Sequence, residues 1–157
     1  MVCGMARVLG VVSKKDQILV AIADDGLIIE DADHDRVEIA RGSDEAGQLL
    51  AFNEDVQRLL AEVQPDRVRM LKPEGNHAAV YGEWAPKLAL ETIVRLCCAQ
   101  AEIPVDVLAR ATARTRLNID RRGNFEKHLP AALGEPVGRY WSQGRNVAAA
   151  AALAEEP

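Results

Sequence analysis

The chain has few cysteines, no long apolar run and no excess of positive charge, and each shortage removes a class of function. The three cysteines, Cys3, Cys97 and Cys98, are odd in number and lack zinc spacing, so neither a disulfide framework nor a structural zinc site is expected. Adjacent Cys97 and Cys98 stand in an apolar stretch and read as small buried hydrophobes, while Cys3 lies near the start of the chain. No apolar run reaches the roughly 18 residues of a membrane span, and the opening residues lack the basic-then-apolar pattern of a secretory signal. A cytoplasmic protein with no membrane partner is the expectation. The net charge of −5 argues against a globally basic nucleic-acid binder and leaves room for a local basic face. No glycine-rich phosphate loop occurs. Asp31, Asp33 and Asp35 alternate without the glycine and terminal glutamate of a calcium loop, and read as a solvated turn. His34, His77 and His128 are scattered, and Ser13 has no neighbouring histidine or acid that would suggest a nucleophile relay.

What is present is a balanced globular composition. The 157 residues are 48% hydrophobic and 27% charged, enough for one domain spanning 1–157 with a substantial core. Arg7 to Val12 and Gln17 to Ala23 are apolar strand candidates joined by the polar turn Ser13-Lys14-Lys15-Asp16. Gly26 to Glu30 and the alternating Arg36 to Ala40 follow, so the chain is expected to begin as a three-stranded antiparallel meander. Ser43 is the expected cap of a helix from Asp44 to Glu62, whose Leu49, Leu50, Phe52, Val56, Leu59, Leu60 and Val63 fall at spacings of three and four. Gln64-Pro65-Asp66 stops that helix, and Arg67 to Leu71 is a short strand with Val68 and Met70 on one side and Leu71 opposite. An irregular stretch from Lys72 to Gly82 leads into a long helix from about Trp84 or Pro86 to Gln100. A strand from Ile103 to Leu108, a short helix from Arg121 to Leu133 and an alanine-rich helix from Asn146 to Glu155 complete the order. Helix, strand, helix, strand is the pattern of a parallel second half.

This order of elements is that of the ribonuclease-H-like fold, and particular stretches resemble its RuvC-type Holliday junction resolvase branch. Arg7-Val8-Leu9-Gly10-Val11 resembles the opening strand, and Asp66-Arg67-Val68-Arg69-Met70 the fourth. Pro86 to Cys98 resembles the long central helix, Val107 to Arg116 the fifth strand and the polar stretch after it, and Gly144 to Ala150 the start of the last helix. The resemblance implies an α/β fold: a mixed five-stranded sheet, antiparallel then parallel, with helices on both faces. It also implies a carboxylate cluster that holds two divalent metal ions for phosphoryl transfer. At the matching positions stand Val12, Leu71 or Lys72, Asn146 and Ala149. Asn146 reads as a helix cap, and Glu74, two or three residues past its expected place, is the one candidate for a displaced ligand.

Two further segments carry candidate binding residues. RATARTRLNIDRRGNFEK holds Arg110, Arg114, Arg116, Arg121, Arg122 and Lys127 against Asp120 and Glu126, a basic stretch whose guanidinium groups suit phosphates. Lys72, Glu74, His77, Tyr81 and Trp84 stand on the loop after a strand, where open α/β sheets place ligands. Tyr140 and Trp141 read as packing residues first and as a self-association surface second, which makes a homodimer one candidate assembly. The expected function is that of a non-catalytic resolvase-like protein that binds a protein or a nucleic acid weakly, with no cofactor and no metal. Two alternatives stand beside it. One is a structure-selective nuclease using Mg2+ or Mn2+ through displaced ligands; the other is a small-molecule-binding α/β protein.

Overall fold

The computed structural model describes residues 6–42, 44–72 and 81–156, the side chains of 81–84 excepted. Strand β1 (Arg7–Ser13) pairs antiparallel with β2 (Gln17–Asp24), Val11 facing Val20, across a turn closed by Lys14 N–H donating to Gln17 O at 2.8 Å. Asp25 and Gly26 both have positive φ, 54° and 77°, which is what a two-residue hairpin requires. That hairpin leads into β3 (Leu27–Ile29), and β4 (Arg36–Glu38) also pairs with β2.

The third strand of the expected meander is therefore two pieces. Ile22 faces Ile29 and Leu19 faces Arg36, so three steps along β2 (22 − 19) are matched by seven along its neighbour (36 − 29). The surplus loops out over residues 30–35 and rejoins the edge where Val20 N–H donates to Asp35 O at 2.9 Å. Six strands thus occupy five sheet positions, in the order β3-β2-β1-β5-β6, with β4 beside β3 on β2.

Helix α1 (Glu45–Val63) starts one residue later than a Ser43 cap would place it, because Asp44 is the N-cap and its carboxylate accepts from Gly47 N–H at 2.8 Å. Ser43 lies outside the described residues. The helix buries Phe52, Val56, Leu59, Leu60 and Val63 and ends where Gln64 turns left-handed ahead of Pro65. Strand β5 (Arg67–Leu71) then lies parallel to β1, helix α2 (Tyr81–Gln100) crosses back, and β6 (Val105–Leu108) lies parallel to β5. Helices α1 and α2 cover one face of the sheet, where Leu9, Val11, Val20, Val68 and Met70 meet Phe52, Val56, Leu90 and Val94.

The opposite face carries the C-terminal half of the chain. Short helix α3 (Arg110–Arg116) follows β6, a single 3-10 turn (Glu126–His128) runs into α4 (Leu129–Leu133), and α5 (Arg145–Leu153) closes the chain against β1 and β2. Residues Ala148 to Ala152 of α5 are buried. Helix and sheet come so close that a Cβ on Gly10 would stand 1.8 Å from Ala148 O. The expected helix from Arg121 to Leu133 is realised only in its second half; Asp120 and Asn124 accept from the N–H groups two residues on and hold the first half in turns. No helix among the described residues is long and apolar enough to cross a membrane.

Candidate functional site

The parallel strands β1 and β5 end side by side, and their carboxyl ends open into a cleft of about 280 Å³ beneath α5. Open α/β sheets put ligands at such ends, because the connecting segments diverge there. Val12 from the end of β1, Leu71 from the end of β5 and Val147 from the first turn of α5 all line this cleft. Val12 and Leu71 point to the α5 side, as alternation along each strand requires, and both pack against the cluster of Phe125, Val147 and Ala150. Val12 also packs with Ala149. Asn146 adjoins Val147 in the first turn of α5. The cap of that helix is Gly144 rather than Asn146, whose Oδ1 accepts from Val147 N–H at 2.8 Å. Two of the positions that the resemblance assigns to metal-binding carboxylates, Val12 and Leu71, thus meet on one apolar surface; Ala149 packs against Val12, and Asn146 stands in the same first turn as Val147.

The polar groups of the cleft come from other elements. Ser13 Oγ, buried at the end of β1, donates to Glu91 Oε1 of α2 at 2.7 Å. Lys87 stands one turn before Glu91 on the same helix face, and both line the cleft together with Arg110, Asn124 and Glu126. Lys87, Glu91 and Asn124 carry no motif in sequence; the available signal was the i, i+4 spacing of Lys87 and Glu91 on the helix that follows β5. No cluster of three or more histidine, cysteine or acidic residues with metal-binding geometry occurs among the described residues.

The basic segment divides into three roles. Arg110 lines the cleft; its guanidinium lies 5.3 Å from the centre of the Phe125 ring, and its Nε is buried with no acceptor among the described residues. Arg114 and Arg116 serve the fold. Arg114 is buried and donates to Asp120 O at 2.5 Å and Gly123 O at 2.8 Å, closing the loop after α3. Arg116 donates to Ala154 O at 3.1 Å and reaches Glu156, so it ties α3 to the end of α5. Arg121, Arg122 and Lys127 are exposed.

Of the loop residues, Lys72 is exposed just past β5, with its N–H donating to Leu108 O at 2.7 Å. Glu74 and His77 lie outside the described residues. Tyr81 and Trp84 do not stand on the loop as expected: helix α2 already begins at Tyr81, and only their side chains lie outside the described residues. Cys97 and Cys98 are buried, as expected; burial pushes the Cys98 thiol up to about 12. Tyr140 and Trp141 are half-buried, with Arg36 and Arg139 over the Tyr140 ring and Arg145 over Trp141.

The acidic turn is more organised than a solvated loop. His34 Nδ1 meets Asp31 Oδ2 at 2.7 Å and its Nε2 meets Glu62 Oε2 of α1 at 2.6 Å. The hydrogen bonds to Asp31 and Glu62 raise the imidazole above its ordinary range. Asp35, almost wholly buried, accepts from Arg139 Nε at 2.6 Å.

No protein-family model and no curated protein matches the sequence. Solved structures do match the fold. T. thermophilus RuvC in complex with Holliday junction substrate is similar with a TM-score of 0.69 at 14% identity, over 95% of this chain and 91% of that one. A further Thermus thermophilus RuvC structure gives 0.68 at 12% identity, over 94% and 92%. The yeast mitochondrial Holliday junction resolvase Ydc2 gives 0.59 at 15%, over 96% and 76%. With the mixed sheet and its two helical faces, these likenesses make the architecture a RuvC-like, ribonuclease-H-like fold.

Proposed function

We propose that this chain is a resolvase-fold protein that binds nucleic acid without cleaving it. The observation that carries the reading is the cleft floor. Hard divalent ions are held by several oxygen ligands, mostly carboxylates. Val12 and Leu71 on that floor offer none, nor does Ala149 packed against Val12, and Asn146 offers one amide oxygen. The residues therefore do not fit a metal pair. Binding is supported by the fold, which RuvC shares in its complex with a Holliday junction substrate, and by the exposed cations Arg121, Arg122 and Lys127. The carboxylates of the 30–35 loop adjoin the β3–β4 edge of the sheet, whereas the basic segment departs from β6 at the other edge. That separation lets one side face a polyanion while the other repels it.

Incubation with branched and single-stranded DNA in Mg2+ or Mn2+ is expected to leave every strand intact. A gel-shift titration at low salt shows weak binding that fades as salt rises, with the slope falling by about one for each phosphate contact removed. Neutralising Arg121, Arg122 and Lys127 together tests the surface; unchanged affinity in that triple variant overturns it. A second reading, a structure-selective nuclease with displaced ligands, draws on Glu91 and Glu126 lining the same cleft. It requires metal-dependent cleavage by the purified protein that disappears in Glu91→Gln.

A further inference from the structure

We infer that the cleft at the ends of β1 and β5 is a binding site for a small organic monoanion with an apolar body, held by Arg110 and Lys87. The inference does not depend on nucleic-acid binding, which the exposed cations outside the cleft would serve. Four observations converge on it.

The space is of the right kind: about 280 Å³, close to the lower edge of the roughly 300–1,000 Å³ usual for small-molecule sites. Its lining is two-sided. Val11, Val12, Leu71, Phe125 and Val147 supply apolar surface, and polar groups enter from α2, α3 and the segment before the 3-10 turn. A residue of its wall has an unmet donor: Arg110 lines the cleft, and its Nε is buried with no acceptor among the described residues. An unmet buried N–H is costly, and doubly so on a guanidinium, so an acceptor that is itself anionic is the natural complement. Phe125, beneath the guanidinium, holds its plane in place.

Charge decides the valence of the ligand. Arg110, Lys87 and Glu91 are half-buried, while Glu126 is exposed and largely screened. Among the described residues, two cations and one carboxylate leave the inner cleft with one net positive charge, and Glu91 already accepts from Ser13. A monoanion neutralises that charge. A dianion such as a phosphate monoester would leave an uncompensated charge against an apolar floor, which is disfavoured. A carboxylate on a ring or short aliphatic body matches both halves of the lining.

Benzoate is the simplest probe. In a titration followed by amide NMR, it is expected to shift Val12, Ser13, Leu71, Arg110 and Phe125 along one saturable curve. Its neutral isostere benzamide binds at least about tenfold more weakly, the difference expected for a charged hydrogen bond. Arg110→Met, which keeps the apolar stem over Phe125, weakens benzoate by a similar factor, and Lys87→Gln by less. The ligand-side comparison needs no variant, so a folding defect in Arg110→Met leaves the test intact. Equal binding of benzoate and benzamide overturns the proposal, as does the absence of saturable shifts at the cleft. Shifts there from inorganic phosphate or an oligonucleotide without any from benzoate overturn it too, because the site would then belong to the nucleic-acid surface.

Discussion

The two faces of the sheet are built on opposite principles. On the α1–α2 face, branched and aromatic side chains interdigitate between helices and strands, with Phe52, Val56, Leu90 and Val94 filling the layer. Where α5 lies on β1, by contrast, there is almost no side-chain layer: alanines lie on Gly10, and backbone nearly touches backbone. The first face tolerates a change of shape because many groups share the load. The second has nothing that can move aside.

The close face also rests on buried arginines, which the open face lacks among the described residues. Buried Arg69 on β5 donates to Ala151 O at 3.3 Å and Ala152 O at 3.0 Å, meeting carbonyls of the last turn of α5. Burial lowers its guanidinium from the usual range, with Asp106 opposing that shift. Arg145 at the other end donates to Val20 O at 2.8 Å, Val137 O at 2.6 Å and Arg139 O at 2.8 Å, clasping the loop before α5 to β2. The cleft lies where this tight face begins to open, so its apolar floor is the last part of a packed layer.

Four measurements would break or sharpen this contrast. The largest effect is expected from Gly10→Ala, whose new methyl would overlap Ala148 O; chemical denaturation should show a loss of more than about 3 kcal/mol or no folded protein. Near-wild-type stability there would end the close-approach account. On the open face, Phe52→Ala should cost about 3–5 kcal/mol through its cavity, while Phe52→Leu retains a cooperative transition. Arg145→Met should come next, at about 2 kcal/mol, because three carbonyls lose their donor while a desolvated charge is also removed.

The smallest effect concerns the acidic turn clasped to α1. His34 is raised in the folded state, so its contribution is full below its unfolded value of 6.5 and is lost as pH rises through the higher folded value. His34→Gln should therefore flatten the stability profile above about pH 6.5. Asp31 titrates in the opposite sense, being held below its ordinary value mainly by the hydrogen bond to His34. An unaltered profile in His34→Gln would mean that the clasp contributes nothing measurable.

Much of the scaffold was legible along the chain, and the misses share a cause. Strand β5 begins and ends at Arg67 and Leu71 as its alternation indicates, and α1 follows its spacing of three and four. The split between β3 and β4 was invisible, because pairing with β2 depends on residues far off in sequence rather than on a local pattern. Helix α3 reads as a polar stretch: only Ala113 and Arg114 of its residues are buried, and no side chain caps it. Arg114 is one of six clustered cations in the basic segment, yet it is buried and its guanidinium donates to the carbonyls of Asp120 and Gly123. Residue type announces charge, whereas burial decides whether that charge meets a partner or solvent.

The sequence by itself determined most of the order of strands and helices, β3/β4 and α3 excepted, the burial of Cys97 and Cys98, and the uncharged character of Val12, Leu71 and Ala149, since these follow from local periodicity and residue chemistry. Only the tertiary structure decided that Val12 and Leu71 share one cleft and that Ser13, Glu91, Lys87 and Arg110 surround it. It also decided which arginines are left for a ligand. These residues come from four separate elements, and their meeting depends on sheet register and helix packing, which no short stretch of the chain encodes.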